Sequence, residues 1–117
     1  MGETLGEFEQ LVLFALLKLK DSAYGAAIRA EIEEQAGRDV NSGAVYITLE
    51  RLENRGLVKS RWGEPTGERG GRRRRYYRLR PEGAAVLHRS YNQLRRLAEE
   101  VLPELEAIAG KAGSGRG

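Results

Sequence analysis

Near the amino terminus apolar residues recur at spacings of three and four. Leu5, Phe8, Leu11, Val12, Ala15, Leu16 and Leu19 mark one face of a helix turned toward a core. Thr4 and Glu7 have capping-box spacing, so this helix is expected to open there and run to about Lys20. Phe14 and Leu17 lie off the main face, which reads either as burial on two sides or as burial against a second copy of the chain. A second helix is expected from about Ala23 to Ala36. Asp21-Ser22 forms its cap, and Tyr24, Ala27, Ile28 and Ile32 its inner stripe. Gly37 is its left-handed stop. Asn41 and Ser42 are both good N-caps, and the third helix runs from them to about Arg55. It buries Val45, Leu49 and Leu52, and Gly56 ends it.

After Gly56 the period changes. Leu57 to Trp62 reads as a strand, 63–71 as a glycine-rich tip and 72–80 as the returning strand. Tyr77 and Leu79 are expected to face the core, and Trp62 to pack at the base of the hairpin. Pro81 suits a first helical turn. From there to about Ala109 the positions Leu87, Leu94, Val101 and Ile108 are seven apart, with Tyr91, Ala98 and Leu105 between them. That is three heptads of a coiled-coil-like seam. Pro103 is expected to kink this helix or loosen its last turns. Residues 110–117 have the composition of a flexible tail.

The sum is a mainly α chain with a small β-hairpin, a winged helix-turn-helix followed by a carboxy-terminal dimerisation helix. The expected units are 1–80, 81–109 and 110–117.

Charge sharpens the picture. The 117 residues suit a single domain, and the formal net charge is only +3. Residues 55–80, however, hold ten Lys/Arg against Glu64 and Glu68, so that segment is +8 and the remainder −5. Seven of those arginines lie between Arg69 and Arg80. Uncompensated like charge destabilises a folded chain by self-repulsion, so an anionic partner is expected at the hairpin. A basic hairpin beside a helix-turn-helix predicts binding to double-stranded DNA.

Other classes lose ground. No cysteine is present, which removes disulfides, thiolate metal sites and a catalytic thiol. His88 is the only histidine and reads as a surface or interface residue. Gly67 to Gly71 is glycine-rich but leads into a strand and not a helix, so a phosphate loop fails. Neither an enzyme nor a metal or other cofactor is expected. Leu11 to Leu19 is too short to span a bilayer and the amino terminus is acidic, so the chain is expected to be cytoplasmic, with no membrane partner.

In a helix-turn-helix the amino-terminal part of the recognition helix meets base edges. Here that assigns Asn41, Ser42, Gly43, Tyr46, Ile47 and Arg51 to base readout. Asn and Arg are the types that make bidentate contacts to adenine and guanine. Tyr24, Lys59, Arg61, Arg69, Arg72, Arg73, Arg74 and Arg75 are assigned to phosphate contacts at the wing. Phe14, Leu17, Leu87, Tyr91, Leu94, Leu97, Val101, Leu105 and Ile108 are assigned to a homodimer interface. The alternative is a winged-helix protein-interaction module without specific DNA readout, or an RNA-binding hairpin. The alternation of Arg51 and Arg55 with Glu50 and Glu53 leans toward DNA.

The chain resembles the PadR family of bacterial transcriptional regulators. Leu5-Gly6-Glu7-Phe8-Glu9-Gln10-Leu11-Val12-Leu13, Tyr24-Gly25, Gly43-Ala44-Val45-Tyr46, Leu49-Glu50-Arg51-Leu52-Glu53, Gly56-Leu57-Val58 and Arg74-Arg75-Tyr76-Tyr77-Arg78-Leu79 carry the resemblance over about residues 5–88. It implies a homodimer, an operator with two-fold symmetry and usually repression. It also implies a dimerisation region, here the single helix of the shorter members. Some relatives bind phenolic acids or hydrophobic drugs, but no constellation in this sequence marks a small-molecule effector.

Overall fold

The computed structural model describes residues 4–65 and 73–114. The candidate phosphate contacts Arg69 and Arg72 lie outside the described residues, as does the greater part, 66–71, of the hairpin tip expected at 63–71. The elements follow in order as α1 (Glu7–Leu19), a 3₁₀ turn (Lys20–Ser22), α2 (Gly25–Ala36), α3 (Ser42–Asn54), β1 (Val58–Trp62), β2 (Arg75–Leu79), α4 (Pro81–Glu99) and α5 (Leu102–Ser114). The mainly helical fold with a two-stranded wing is as the sequence predicts.

Local chemistry accounts for most boundaries, with two corrections at helix starts. The cap of α1 is Gly6, not Thr4: its N–H donates to the Glu9 carboxylate at 2.9 Å. The Thr4 carbonyl instead accepts from the Arg55 guanidinium. Asp21-Ser22 does not cap α2. These residues form the 3₁₀ turn, and α2 begins two residues later with Tyr24 at the N-cap. Asp21 is taken up by an ion pair with Arg78 at 3.0 Å.

The other ends match the sequence reading. Gly37 adopts φ +65 at the end of α2. The Asn41 side chain caps α3 by accepting from Ala44 N–H at 3.2 Å. At the end of α3, Leu57 N–H reaches Leu52 O at 3.0 Å and Gly56 N–H reaches Glu53 O at 2.9 Å, with Gly56 at φ +74. This is a Schellman stop whose two leucines are buried, so one motif ends the helix and aims the chain into β1.

The core lies where α1, α2, α3 and the foot of the wing meet. Val12, Leu13, Ile28, Val45, Leu49 and Leu52 are fully shielded. Burying side chains of this size contributes roughly 1.5–3 kcal/mol each. The link between α2 and α3 is tied down by Arg29 Nε to Val40 O at 2.6 Å and by Val40 N–H to a Glu33 oxygen at 2.9 Å. The strands pair antiparallel, Val58 with Leu79 through Trp62 with Arg75. Tyr77 faces the core and is buried, and Leu79 packs against it. The segment before α2 adds a short third rung: Tyr77 N–H donates to Ala23 O at 2.8 Å, and Tyr24 bridges Tyr76. The wing is thus stitched to the start of α2.

Three expectations farther along are overturned. Trp62 is not packed at the base of the hairpin. It is 57% exposed at the far end of β1, because its register places it opposite Arg75, away from the core. The last helix breaks at residues 100–101, just before Pro103, where the sequence predicts a kink, but its end is misplaced. α4 ends at Glu99, and Pro103 sits in the first turn of α5, where its missing N–H costs nothing. The helix then continues to Ser114, past the expected end at Ala109. Leu87 is not available to a partner, being 3% exposed in the intrachain core beside Val86. The N-terminal turn of α4 is pressed on the end of the hairpin: a Cβ on Gly83 would lie 2.1 Å from the Leu57 carbonyl oxygen.

Among the described residues the apolar seam beyond Leu87 is left largely open. Tyr91, Leu94, Leu97, Val101, Leu102, Leu105 and Ile108 are all at least 42% exposed. The radius of gyration is 17.4 Å, against about 13 Å for a compact chain of this length, as expected of a domain carrying a projecting helical arm.

Candidate nucleic-acid interface

The outward face of α3 is built by its inward one. With Val45, Thr48, Leu49 and Leu52 buried, helical periodicity turns Ser42, Gly43, Tyr46, Ile47, Glu50 and Arg51 to solvent, and all six are exposed. Tyr46 and Ile47 leave 50% and 59% of their surface open, a large apolar presentation for a helix that carries no burial on that side. The buried Thr48 is absent from the sequence reading, because a threonine alone gives no burial signal. Asn41, assigned to base readout, has its side-chain oxygen on the backbone of α3, so capping occupies that atom.

Tyr46 does not stand free. Its ring lies over Gly25 at the first turn of α2, where a Cβ would come within 2.4 Å of Cε1. The next residue back is Tyr24, whose ring meets Tyr76 of the wing edge-to-face at 5.7 Å. Contacts through Gly25 and Tyr24 at the start of α2 therefore join the exposed face of α3 to the hairpin. Gly25 and Tyr76 escaped the sequence reading. Their signal was the Tyr24-Gly25 pair, an aromatic beside a residue that permits close approach.

The wing cations divide by strand face. Lys59 and Arg78, and Arg61 and Tyr76, are cross-strand pairs on one side; Ser60 and Tyr77, and Trp62 and Arg75, are pairs on the other. Arg75 is drawn toward α3 by Glu53 at 3.0 Å and by the Ser60 hydroxyl at 2.8 Å, while Ser60 donates to Glu53 at 2.7 Å. Arg75 thus braces the hairpin against α3, and Glu53 serves that brace instead of acidifying the reading surface. Arg78 pairs with Asp21 and Arg80 with Glu82. Arg73 Nε donates to Gly63 O at 3.0 Å and holds the strand ends together. Arg61 lies 4.7 Å over Tyr76, Arg74 4.4 Å over Tyr24, and Arg75 also lies over Trp62 and Tyr77, at 5.6 and 5.8 Å. Lys59 is exposed on the same strand as Arg61.

Of the residues assigned to a dimer, Phe14, Leu17 and Tyr91 gather on a second surface. Phe14 meets Tyr91 edge-to-face at 5.6 Å, and with Leu17, Leu79, Ala84 and Leu87 they line an open apolar groove of about 500 Å³ between α1 and α4. Phe14 and Leu17 remain 42% and 46% exposed. Among the described residues no helix is long and apolar enough to cross a membrane.

Comparison with known proteins matches this geometry to one family. The transcriptional regulator PadR-like family model matches residues 13–89, from the middle of α1 into α4. The chain is 37% identical over 90 residues to Transcriptional regulator Rv3488 of Mycobacterium tuberculosis, covering 77% of this chain and 79% of that protein. It is 36% identical over 93 residues to an uncharacterized 37.1 kDa transposon protein of Streptomyces fradiae, covering 80% of this chain but spanning only 24% of that protein. Among solved structures, a PadR family transcription regulator from Clostridium difficile is similar with a TM-score of 0.65 at 30% identity, covering 86% of this chain and 98% of that one.

Proposed function

The chain belongs to the PadR-like family of transcriptional regulators, a DNA-binding class and not an enzyme class, and from that premise we propose that it is a cytoplasmic repressor acting as a homodimer on an inverted-repeat operator. The observation that carries the reading is the continuous surface from α3 through Tyr46, Gly25, Tyr24 and Tyr76 to the wing. It joins an uncharged helix start to two ring-stacked arginines.

In this reading Ser42, Gly43, Tyr46, Ile47 and Arg51 face the base edges of the major groove, with Asn41 holding the helix start. Small residues at the start of α3 permit close approach, Arg51 supplies a guanine reader, and Ile47 suits a thymine methyl. Tyr24, Lys59, Arg61, Arg73 and Arg74 grip phosphates and set the register. A two-fold dimer places its two α3 helices in successive major grooves about 34 Å apart. The arm of α4 and α5, with Phe14 and Leu17 of α1, supplies the dimer surface. Repression follows from occupancy: a dimer seated over a promoter excludes polymerase.

The test is selection of duplexes from a random pool by the full chain, followed by titration of the winning sequence and a scrambled one at matched salt. An inverted repeat with half-sites one helical turn apart is the expected outcome. Arg51→Ala then costs about 1–3 kcal/mol on the selected duplex and little on the scrambled one. Equal loss on both would reduce Arg51 to a phosphate contact, and a pool without any repeat would overturn the dimeric operator.

A further inference from the structure

At the foot of the wing two rings and two guanidinium groups form a connected chain. Arg61 of β1 lies 4.7 Å over Tyr76 of β2, its cross-strand neighbour. Tyr76 meets Tyr24 edge-to-face, centroids 5.7 Å apart and planes at 78°. Arg74 lies 4.4 Å over the Tyr24 ring. The four residues come from both sides of the hairpin and from the cap of α2, the very elements that must keep a fixed angle if wing and recognition helix are to dock together.

Backbone geometry holds the central ring. Tyr76 packs on Gly63, where a Cβ would lie 2.5 Å from the ring's Cε2. Gly63 N–H in turn donates to Arg74 O at 2.7 Å. The arginines of the wing differ in their acids and not in their rings, since Arg75 also lies over Trp62 and Tyr77, at 5.6 and 5.8 Å. Arg75, Arg78 and Arg80 each meet a carboxylate, whereas among the described residues no acid pairs with Arg61. A carboxylate competes with phosphate for a guanidinium. A ring does not, because a guanidinium stacked flat keeps its N–H edges open to an oxyanion.

We propose that Tyr76 is a positioning residue for the DNA backbone: held edge-on by Tyr24 and seated on Gly63, its ring presents the Arg61 guanidinium as a preorganised phosphate grip on the wing. The inference rests on the DNA-binding reading and goes beyond it, since Tyr76 itself touches no nucleic acid in this scheme. Restricting the arginine before the duplex arrives removes ordering cost at binding.

The experiment titrates the full chain and its Tyr76→Leu, Tyr76→Phe, Arg61→Ala and Tyr76→Leu/Arg61→Ala variants with a labelled duplex of scrambled sequence at several salt concentrations. Each variant is checked for folding by thermal melting. Tyr76→Leu is expected to weaken binding about three- to thirtyfold, the range of one cation–π contact. It should also flatten the plot of log affinity against log salt by about one unit per protomer, as Arg61→Ala does. The double variant should bind no worse than Arg61→Ala, and Tyr76→Phe, which keeps the ring, should restore both values. A purely structural tyrosine would lower the melting temperature and leave the salt slope alone. An unchanged slope in folded Tyr76→Leu, or losses that multiply in the double variant, would overturn the proposal. Should Tyr76→Leu fail to fold, the order of the Arg61 Nε–H bond by NMR relaxation in the native protein decides. A side chain as mobile as that of an exposed lysine overturns the grip. Failure of the native chain to bind any duplex overturns the DNA-binding reading instead.

Discussion

The ring of Tyr46 occupies the space where a side chain on Gly25 would stand: a Cβ at position 25 would lie 2.4 Å from Cε1 and 2.7 Å from the hydroxyl of Tyr46. The recognition helix and the start of α2 are therefore registered by a contact that only glycine allows.

This contact sets stability and binding against each other. In Gly25→Ala the clashing atoms belong to the far end of a half-exposed side chain, so the ring can swing into water. Alanine is the better helix former by up to about 1 kcal/mol. The melting temperature should hold or rise while affinity for the selected operator falls. In a Tyr46→Ala background, Gly25→Ala should have no further effect on binding. A marked loss of stability in the single variant would show that the Tyr46 ring cannot move.

Adjacent wing arginines should separate by role. Arg75 is engaged by Glu53 and Ser60, so Arg75→Ala should cost stability. The pair is partly solvated, at 42% and 29% side-chain exposure, which limits the cost to about 0.5–1 kcal/mol. Arg74→Ala should flatten the salt dependence of binding by about one unit per protomer. Titrations at four or more salt concentrations, with melts on the same samples, would expose an exchange of these roles.

The arm should be the dimer surface. Leu94 and Leu97 are 60% and 78% exposed within one chain, so charge placed there costs a monomer little. At a subunit interface the same charge would be buried without a partner. Leu94→Glu with Leu97→Glu should give soluble monomers by sedimentation velocity, with melting only slightly altered. A double variant that sediments as the native dimer would place the interface elsewhere.

An ion pair between α1 and α2, its lysine 58% exposed, should shape the acid stability. Glu31 is 13% exposed and meets the Lys18 ammonium at 2.8 Å. The hydrogen bond to Lys18 holds the Glu31 carboxyl below its ordinary 4.5, and the bond to Glu31 raises Lys18 above its ordinary 10.5. The lowered acid contributes fully above pH 4.5 and loses its contribution as pH falls through its folded value. The raised base contributes fully below pH 10.5 and loses its contribution as pH rises through its folded value. Lys18→Met should therefore destabilise most across neutral pH, and its melting curve should converge on that of the native chain in strong acid. A constant gap in melting temperature from pH 7 down to pH 2 would contradict this assignment.

The order of the first three helices, the hairpin, the stops at Gly37 and Gly56 and the exposed face of α3 were legible along the chain, because each depends on residues within a few positions of one another. Periodicity placed Val45, Leu49 and Leu52 inside and so turned Tyr46 and Ile47 out. What local pattern could not decide was which partner each residue would meet. Leu87 continued a heptad seam yet went into the intrachain core, because α4 docks on the hairpin through Gly83 before the arm leaves the domain. Arg75 belonged to an uninterrupted run of cations until the fold of α3 against the wing brought Glu53 to it. Asp21 had cap chemistry, but the antiparallel register set Arg78 beside it. Tyr76 and Gly63 are far apart in sequence and meet only when the hairpin closes. Sequence by itself determined the elements and the charge they carry, since backbone preference and periodicity are short-range. Tertiary structure decided which arginines meet a carboxylate and which rings they lie over, since ion pairs and ring contacts depend on distances that only packing sets.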